Sequence, residues 1–204
     1  MAMKRRNLGL WLAVGWVGFA VLPWNAIGGQ GFLAFRWLGS YPLGLREGPA
    51  AVQLVEHGRL WLLPLGLALA LPALLFVRQI GIGGAARILI VAGGGGFATT
   101  LAIALAIDIG GWTWPALATF FGALPGRQPG LGYGALAVAG ASLMFLCHGL
   151  ALRGWVKGDA FVAGAIGASV VLVGLFTLYP IARLFVRAFL DRVERASGEE
   201  DVRW

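Results

Sequence analysis

Very few residues in this chain are of a type that could do chemistry, and those few stand within or beside long apolar runs. Asp108 closes the run from Ile88 to Ile107. Cys147 and His148 stand side by side in GASLMFLCHGL, and Gly93-Gly94-Gly95-Gly96 interrupts the same run that Asp108 closes. An acid at membrane depth is costly and usually marks a substrate or proton site. Asp108 is therefore read as an interfacial cap with its carboxylate in water or, more sharply, as such a site. Helix neighbours point about 100° apart, so Cys147 and His148 do not readily share one metal. The only other histidine is His57, whereas a zinc site draws on three or four ligands. His148 is expected to be a packed polar residue bonding to a neighbouring helix. The glycine run lacks the Lys-Ser/Thr that completes a nucleotide loop, so it predicts close helix packing or a local helix break. Ser-x-x-Lys, His-Glu-x-x-His and Gly-x-Ser-x-Gly arrangements do not occur in the sequence, and covalent or metal-assisted catalysis has no carrier here. Asp108 and His148 remain as the two candidate intramembrane polar sites. No catalytic, cofactor or metal residue is expected, and the chain is not read as an enzyme.

The elements that must position these residues follow from composition. Of 204 residues, 59% are hydrophobic and only 12% charged, where a soluble domain carries about 25% charged residues. Thirty-three glycines and nine tryptophans suit membrane helices and their interfacial ends, respectively. The net charge of +7 is spread in short clusters between apolar runs and leaves no basic face, which argues against nucleic acid. That charge serves orientation and contact with anionic headgroups of the lipid bilayer. A single cysteine excludes an intrachain disulfide.

The apolar runs predict an all-α, polytopic membrane helix bundle with about five transmembrane helices, near 7–24, 60–77, 88–107, 130–152 and 161–182. Each is long enough, or nearly so, to cross a hydrocarbon core of about 30 Å. The first four form a membrane region over 1–152; residues 153–204 hold the fifth span and an amphipathic, polar tail. Met1–Leu22 has the basic start and apolar run of a signal peptide, but Pro23-Trp24-Asn25 is a poor cleavage site, so a retained span is expected. The connection from Asn25 to Arg59 is rich in turn signals and is read as a headgroup-level loop, in which Phe32, Phe35, Trp37 and Leu38 allow one short interfacial helix and Ala50–His57 a second. Ile80–Ala86 is read as a Gly-rich turn and Ile109–Pro129 as a loop on the membrane surface. Proline removes a backbone donor and clashes one turn back, so kinks are expected at Pro72 and at Tyr179-Pro180. Lys4, Arg5, Arg6, Arg78, Arg87, Arg153 and Lys157 outnumber Arg36, Arg46, Arg59 and Arg127 on the opposite side, which predicts a cytoplasmic N-terminus. Five spans then place the tail outside, where its five arginines run against the rule.

One region goes further. The run RGWVKGDAFVAGAIGASVVLVGLFTLYPIARLFVRAFLD, with Tyr179-Pro180 followed by Ala188-Phe189, resembles the opening of the transport core of binding-protein-dependent ABC importer permeases. It is most similar to the long, iron(III)-type inner-membrane members. PGLGYGALAVAGASLMFLCHGLALRGW is similar to the extension helix that precedes that core. The resemblance covers Pro129–Asp191 and, loosely, the earlier spans. It implies a multi-pass permease component of the bacterial inner membrane. The permease would take substrate from a periplasmic binding protein and be driven by cytoplasmic ATPase subunits, without hydrolysing ATP itself. The family's coupling loop, with its Glu-Ala-Ala…Gly pattern, is absent, and further core spans do not follow Asp191; the implied object is the N-terminal part of such a permease. The alternative is a membrane scaffold or assembly protein whose glycine-rich faces serve partner helices. A self-sufficient channel, transporter or membrane enzyme is disfavoured by the scarcity of intramembrane polar groups.

Overall fold

The computed structural model describes residues 5–26, 35–45, 47–108, 110–124, 130–155 and 160–174, with single positions at 177, 181 and 184. Its elements are α1 (Arg5–Ala20), a 3-10 turn at Arg36–Gly39, α2 (Ala50–Glu56) and a second 3-10 turn at Leu60–Leu62. These are followed by α3 (Leu63–Val77), α4 (Ile82–Ala106), β1 (Ile107–Asp108), β2 (Gly111–Trp112), α5 (Pro115–Phe121), α6 (Tyr133–Leu152) and α7 (Ala160–Val173). The strands pair antiparallel, Ile107 with Trp112 and Asp108 with Gly111. The chain divides into two compact units, 1–164 and 165–204; helices α1 to α6 belong to the first.

Among the described residues three segments are long and apolar enough to cross a membrane: Leu60–Val77, Ile82–Ala106 and Tyr133–Leu152, of 18, 25 and 20 residues. At about 1.5 Å per residue these rise about 27, 37 and 30 Å. The fold is thus mostly helical with three such helices, where the sequence predicts about five. The expected first span, 7–24, loses its last turn because α1 stops at Ala20. Its 16 residues rise only about 24 Å. The cause lies in Pro23, which removes a donor and keeps the preceding residue out of helical geometry, and in better partners for the backbone beyond it. Gly134 N donates to Pro23 O at 2.9 Å, Gly132 N donates to Trp24 O at 2.8 Å, and Trp24 N donates to Gly48 O at 3.2 Å. The described part of the expected fifth span is α7, with 14 residues; Tyr179 and Pro180 lie outside the described residues.

Two further expectations are corrected. The turn between the second and third spans is Arg78–Gly81, not Ile80–Ala86, and α4 begins at Ile82. α4 also runs without interruption through Gly93–Gly96, so close packing holds and the local break does not. Glycine is a poor helix former, but Gly93 and Gly96 are buried against α6, and Gly96 also against Ala68 of α3, so packing holds the helix. α3 likewise continues as one helix through Pro72, which is buried.

Glycine contacts give the helix order. Gly9 faces Phe76 and Gly66 faces Phe19; Gly15 meets Leu69 and Ala141; Gly96 meets Ala68 and Ser142; Gly149 meets Ala86 and Ile90. So α1 and α4 run one way and α3 and α6 the other, with α6 between α1 and α4. The α4–α6 pair is the most extensive interface. The core is filled by Leu8, Leu65, Leu69, Leu89, Val138 and Phe145. The far end of the bundle carries the Arg78–Gly81 turn and His148; the near, loop-rich end carries the connection between α1 and α3, the β-hairpin and the start of α6.

Candidate functional site

Three of the six buried polar or charged side chains among the described residues, Asn25, Gln53 and Arg59, lie at the loop-rich end of the bundle. α2 exists because AAVQLVE follows Pro49, and proline suits the position just outside a helix start. That short helix places Gln53 inward, flanked in sequence by Val52 and Leu54. Gln53 is 0% exposed, Arg59 5% and Asn25 9%. Gln53 Nε2 donates to Gly48 O at 2.6 Å, its Oε1 accepts from Arg59 Nη1, and Arg59 N donates to Gln53 O at 3.2 Å. The Gln53 side chain thus joins the loop at Gly48 to the residue that opens the next membrane segment. Arg59 Nη2 is buried and has no acceptor among the described residues. Burial pushes the guanidinium's pKa down from its ordinary value, yet arginine remains charged at any physiological pH.

Aromatic rings close one side of this cluster. The Arg59 guanidinium carbon stands 5.8 Å from the Trp61 ring centroid, within the reach of a cation–π attraction, about 6 Å. Trp61 in turn packs edge-on against Trp112 at 5.0 Å and Phe121 at 5.7 Å. Trp112 Nε1 donates to Gly122 O at 2.8 Å, and Thr113 N donates to Ala106 O at 2.8 Å. Within the stretch read as a surface loop, the described residues 110–124 therefore hold the second strand of the hairpin and a short helix. Trp114 and Phe120 remain exposed, as suits side chains that meet the headgroup layer. A cavity of about 50 Å³ is lined by Trp24, Asn25, Arg59, Trp61, Ile103 and Leu131, among others.

The residues singled out by sequence do not meet there. Asp108 has its backbone in β1, at the loop end, whereas His148 lies near the far end of α6; the antiparallel packing of α4 on α6 separates them by most of the bundle's length. Among the described residues, His148 makes its hydrogen bond within its own helix. Its Nδ1 donates to Met144 O at 2.8 Å, one turn back on its own helix, where an i−4 carbonyl is always within reach. His148→Leu is accordingly expected to shift stability by no more than about 1 kcal/mol, read as a thermal midpoint in detergent; a loss several times larger would mean an interhelical role. Cys147 is buried, and among the described residues no group of three or more His, Cys, Asp or Glu side chains is placed to hold a metal.

Read from sequence, Arg59 is only a topology charge, and Asn25 and Gln53 are passed over. A signal is present all the same: a lone glutamine in the apolar stretch AAVQLV, six residues before an arginine that directly precedes a membrane run. Compared with known proteins, the chain matches no family model, no curated protein and no solved structure.

Proposed function

We propose that residues 5–155 form a membrane-embedded framework that holds other helices, and that the assembly it serves is an ABC-type importer of the iron(III) kind. The framework half is carried by one observation: the helices close on each other through glycine. A Cβ at Gly93 would lie 2.6 Å from Ser142 O, and one at Gly134 would lie 2.6 Å from Gly18 O, so the backbones touch and leave no room between them for a solute path. The polar side chains in these seams are few, and those that bond, Thr100 to Gly96 O and His148 to Met144 O, bond to their own helices. In this reading the chain has no enzymatic activity of its own.

The importer half is carried by the resemblance over Pro129–Asp191. Its partners are cytoplasmic ATPase subunits and a periplasmic binding protein, and its setting is the bacterial inner membrane with five spans and a cytoplasmic N-terminus. The closed bundle then flanks the pathway instead of forming it. The second reading, a scaffold with no transport activity, rests on the same glycine seams.

Two experiments separate these. Cysteines are placed at Gly39 and Gly81, both exposed with open space around them, in a Cys147→Ser background. A membrane-impermeant maleimide on intact cells is expected to label position 39 and to reach position 81 only after permeabilisation. The reverse pattern rejects the orientation, and equal labelling of both in intact cells rejects the crossing of Leu60–Val77. Tagged full chain purified from its native membranes is expected to carry an ATP-hydrolysing subunit stimulated by a binding protein. Purification with a membrane complex lacking ATPase activity leaves the scaffold reading and removes the importer one.

A further inference from the structure

The partners of the buried Arg59 guanidinium are all neutral: Gln53 Oε1, the Trp61 ring and, for Nη2, no acceptor among the described residues. A buried cation is costly unless it is paired, and a guanidinium is shaped to bind two oxygens of a carboxylate or phosphate at once. Beside it lies the cavity of about 50 Å³ walled by Trp24, Asn25, Trp61 and Leu131. One water needs roughly 10–15 Å³ by the same measure, so the cavity admits a few oxygen atoms and not a whole headgroup. Its walls come from the residues after α1, the start of Leu60–Val77 with Arg59 before it, the end of Ile82–Ala106 with Ile107 after it, and the residues before Tyr133–Leu152. All four are helix ends on one side of the bundle.

We propose that this cavity is an oxyanion site that takes a phosphate group, supplied by an anionic phospholipid, with Arg59 as its charge partner. The phosphate oxygens enter beside the guanidinium while the glycerol and acyl chains stay outside, along the aromatic rim of Trp61 and Trp112. The lipid source rests on the membrane placement proposed above; the oxyanion chemistry does not.

The test uses the full chain in detergent, offered phosphatidylglycerol and phosphatidylcholine, with bound lipid counted by native mass spectrometry. The parent chain is expected to retain phosphatidylglycerol about tenfold or more over phosphatidylcholine, a difference of about 1.4 kcal/mol, and Arg59→Gln to lose that preference. A photoreactive phosphatidylglycerol on the parent chain, which needs no variant to fold, is expected to label the peptides around Trp24-Asn25 or Gly130-Leu131. Absence of a preference in the parent chain overturns the lipid as occupant; a preference kept by folded Arg59→Gln, or labelling confined to other peptides, overturns the site.

Inorganic phosphate added to lipid-free protein distinguishes the source. A rise in thermal midpoint that depends on Arg59, without any lipid preference, keeps the oxyanion site and rejects the lipid. Ile107 lines the cavity and Asp108 follows it. If the parent shows no preference and Asp108→Asn acquires one, the chain's own acid is the anion and the proposal fails. A chain found outside the membrane that still binds inorganic phosphate through Arg59 rejects the placement and spares the site.

Discussion

Gly93→Ala pries α4 from α6, while Gly95→Ala, two residues along the same helix, leaves the bundle intact. A methyl at Gly93 would sit 2.6 Å from Ser142 O and closer still to the Leu146 backbone nitrogen, whereas one at Gly95 meets nothing within 4 Å. Backbone atoms cannot rotate out of the way as a side-chain end can, so the added carbon acts as a wedge along the most extensive interface of the bundle. Overpacking a well-filled interior costs about 1–3 kcal/mol, occasionally more, and a clash with rigid backbone belongs at or above the top of that range. About 3 kcal/mol shifts the folding equilibrium over a hundredfold. At Gly95 only the backbone-entropy term acts, worth about 0.4–1 kcal/mol in favour of alanine. Thermal unfolding of the two variants in one detergent checks both signs. Equal shifts would mean that the α4–α6 seam is not the tight interface described.

Gln53→Leu opens the loop end of the bundle. It removes the acceptor of Arg59 Nη1 and the donor to Gly48 O, and leaves a charged group buried with only the Trp61 ring beside it. A hydrogen bond to a charged group contributes about 1.5–3 kcal/mol, and the orphaned partner places this loss near the upper end. The companion Gln53→Leu/Arg59→Met replaces both partners with apolar groups of similar bulk. Removing both members of a buried polar pair is often near neutral, so the double variant is expected to regain most of what the single one loses. The cycle of two singles and the double, read by thermal midpoint, isolates the pair. A double variant as unstable as Gln53→Leu alone would place the loss in packing and not in the unpaired charge.

Three of the expected spans are found with small shifts. The sequence reading of 60–77 coincides with Leu60–Val77, 130–152 with Tyr133–Leu152, and 88–107 starts six residues later than Ile82–Ala106. Ala50–His57 is found as Ala50–Glu56. The short helix expected around Phe32–Leu38 is found only as the Arg36–Gly39 turn, with 27–34 outside the described residues. The misses share a cause. At 82–86 and 93–96 the local signal is glycine, which reads as a turn; Ala86, Gly93 and Gly96 are in contact with partner helices, and the helix runs on through both stretches. At 21–25 the local signal is apolar and reads as helix, but Pro23 and Trp24 find backbone partners at Gly48, Gly132 and Gly134, far along the chain.

By itself, the sequence determined the class of the protein and the place of its apolar helices, because a run of apolar residues long enough to cross hydrocarbon has helix as its only self-satisfying form. It also determined the poverty of reactive groups. The cluster of Asn25, Gln53 and Arg59 was decided only by tertiary structure. Asn25 follows α1, Gln53 stands in α2 and Arg59 precedes Leu60–Val77, and they come to one end of the bundle because the antiparallel order of α1, α3, α4 and α6 brings those ends together. A helix end leaves groups to be satisfied from elsewhere: Gln53 finds Gly48 and Arg59 close by in the chain, whereas the backbone of Pro23 and Trp24 finds Gly134, Gly132 and Gly48 only because the fold brings them there.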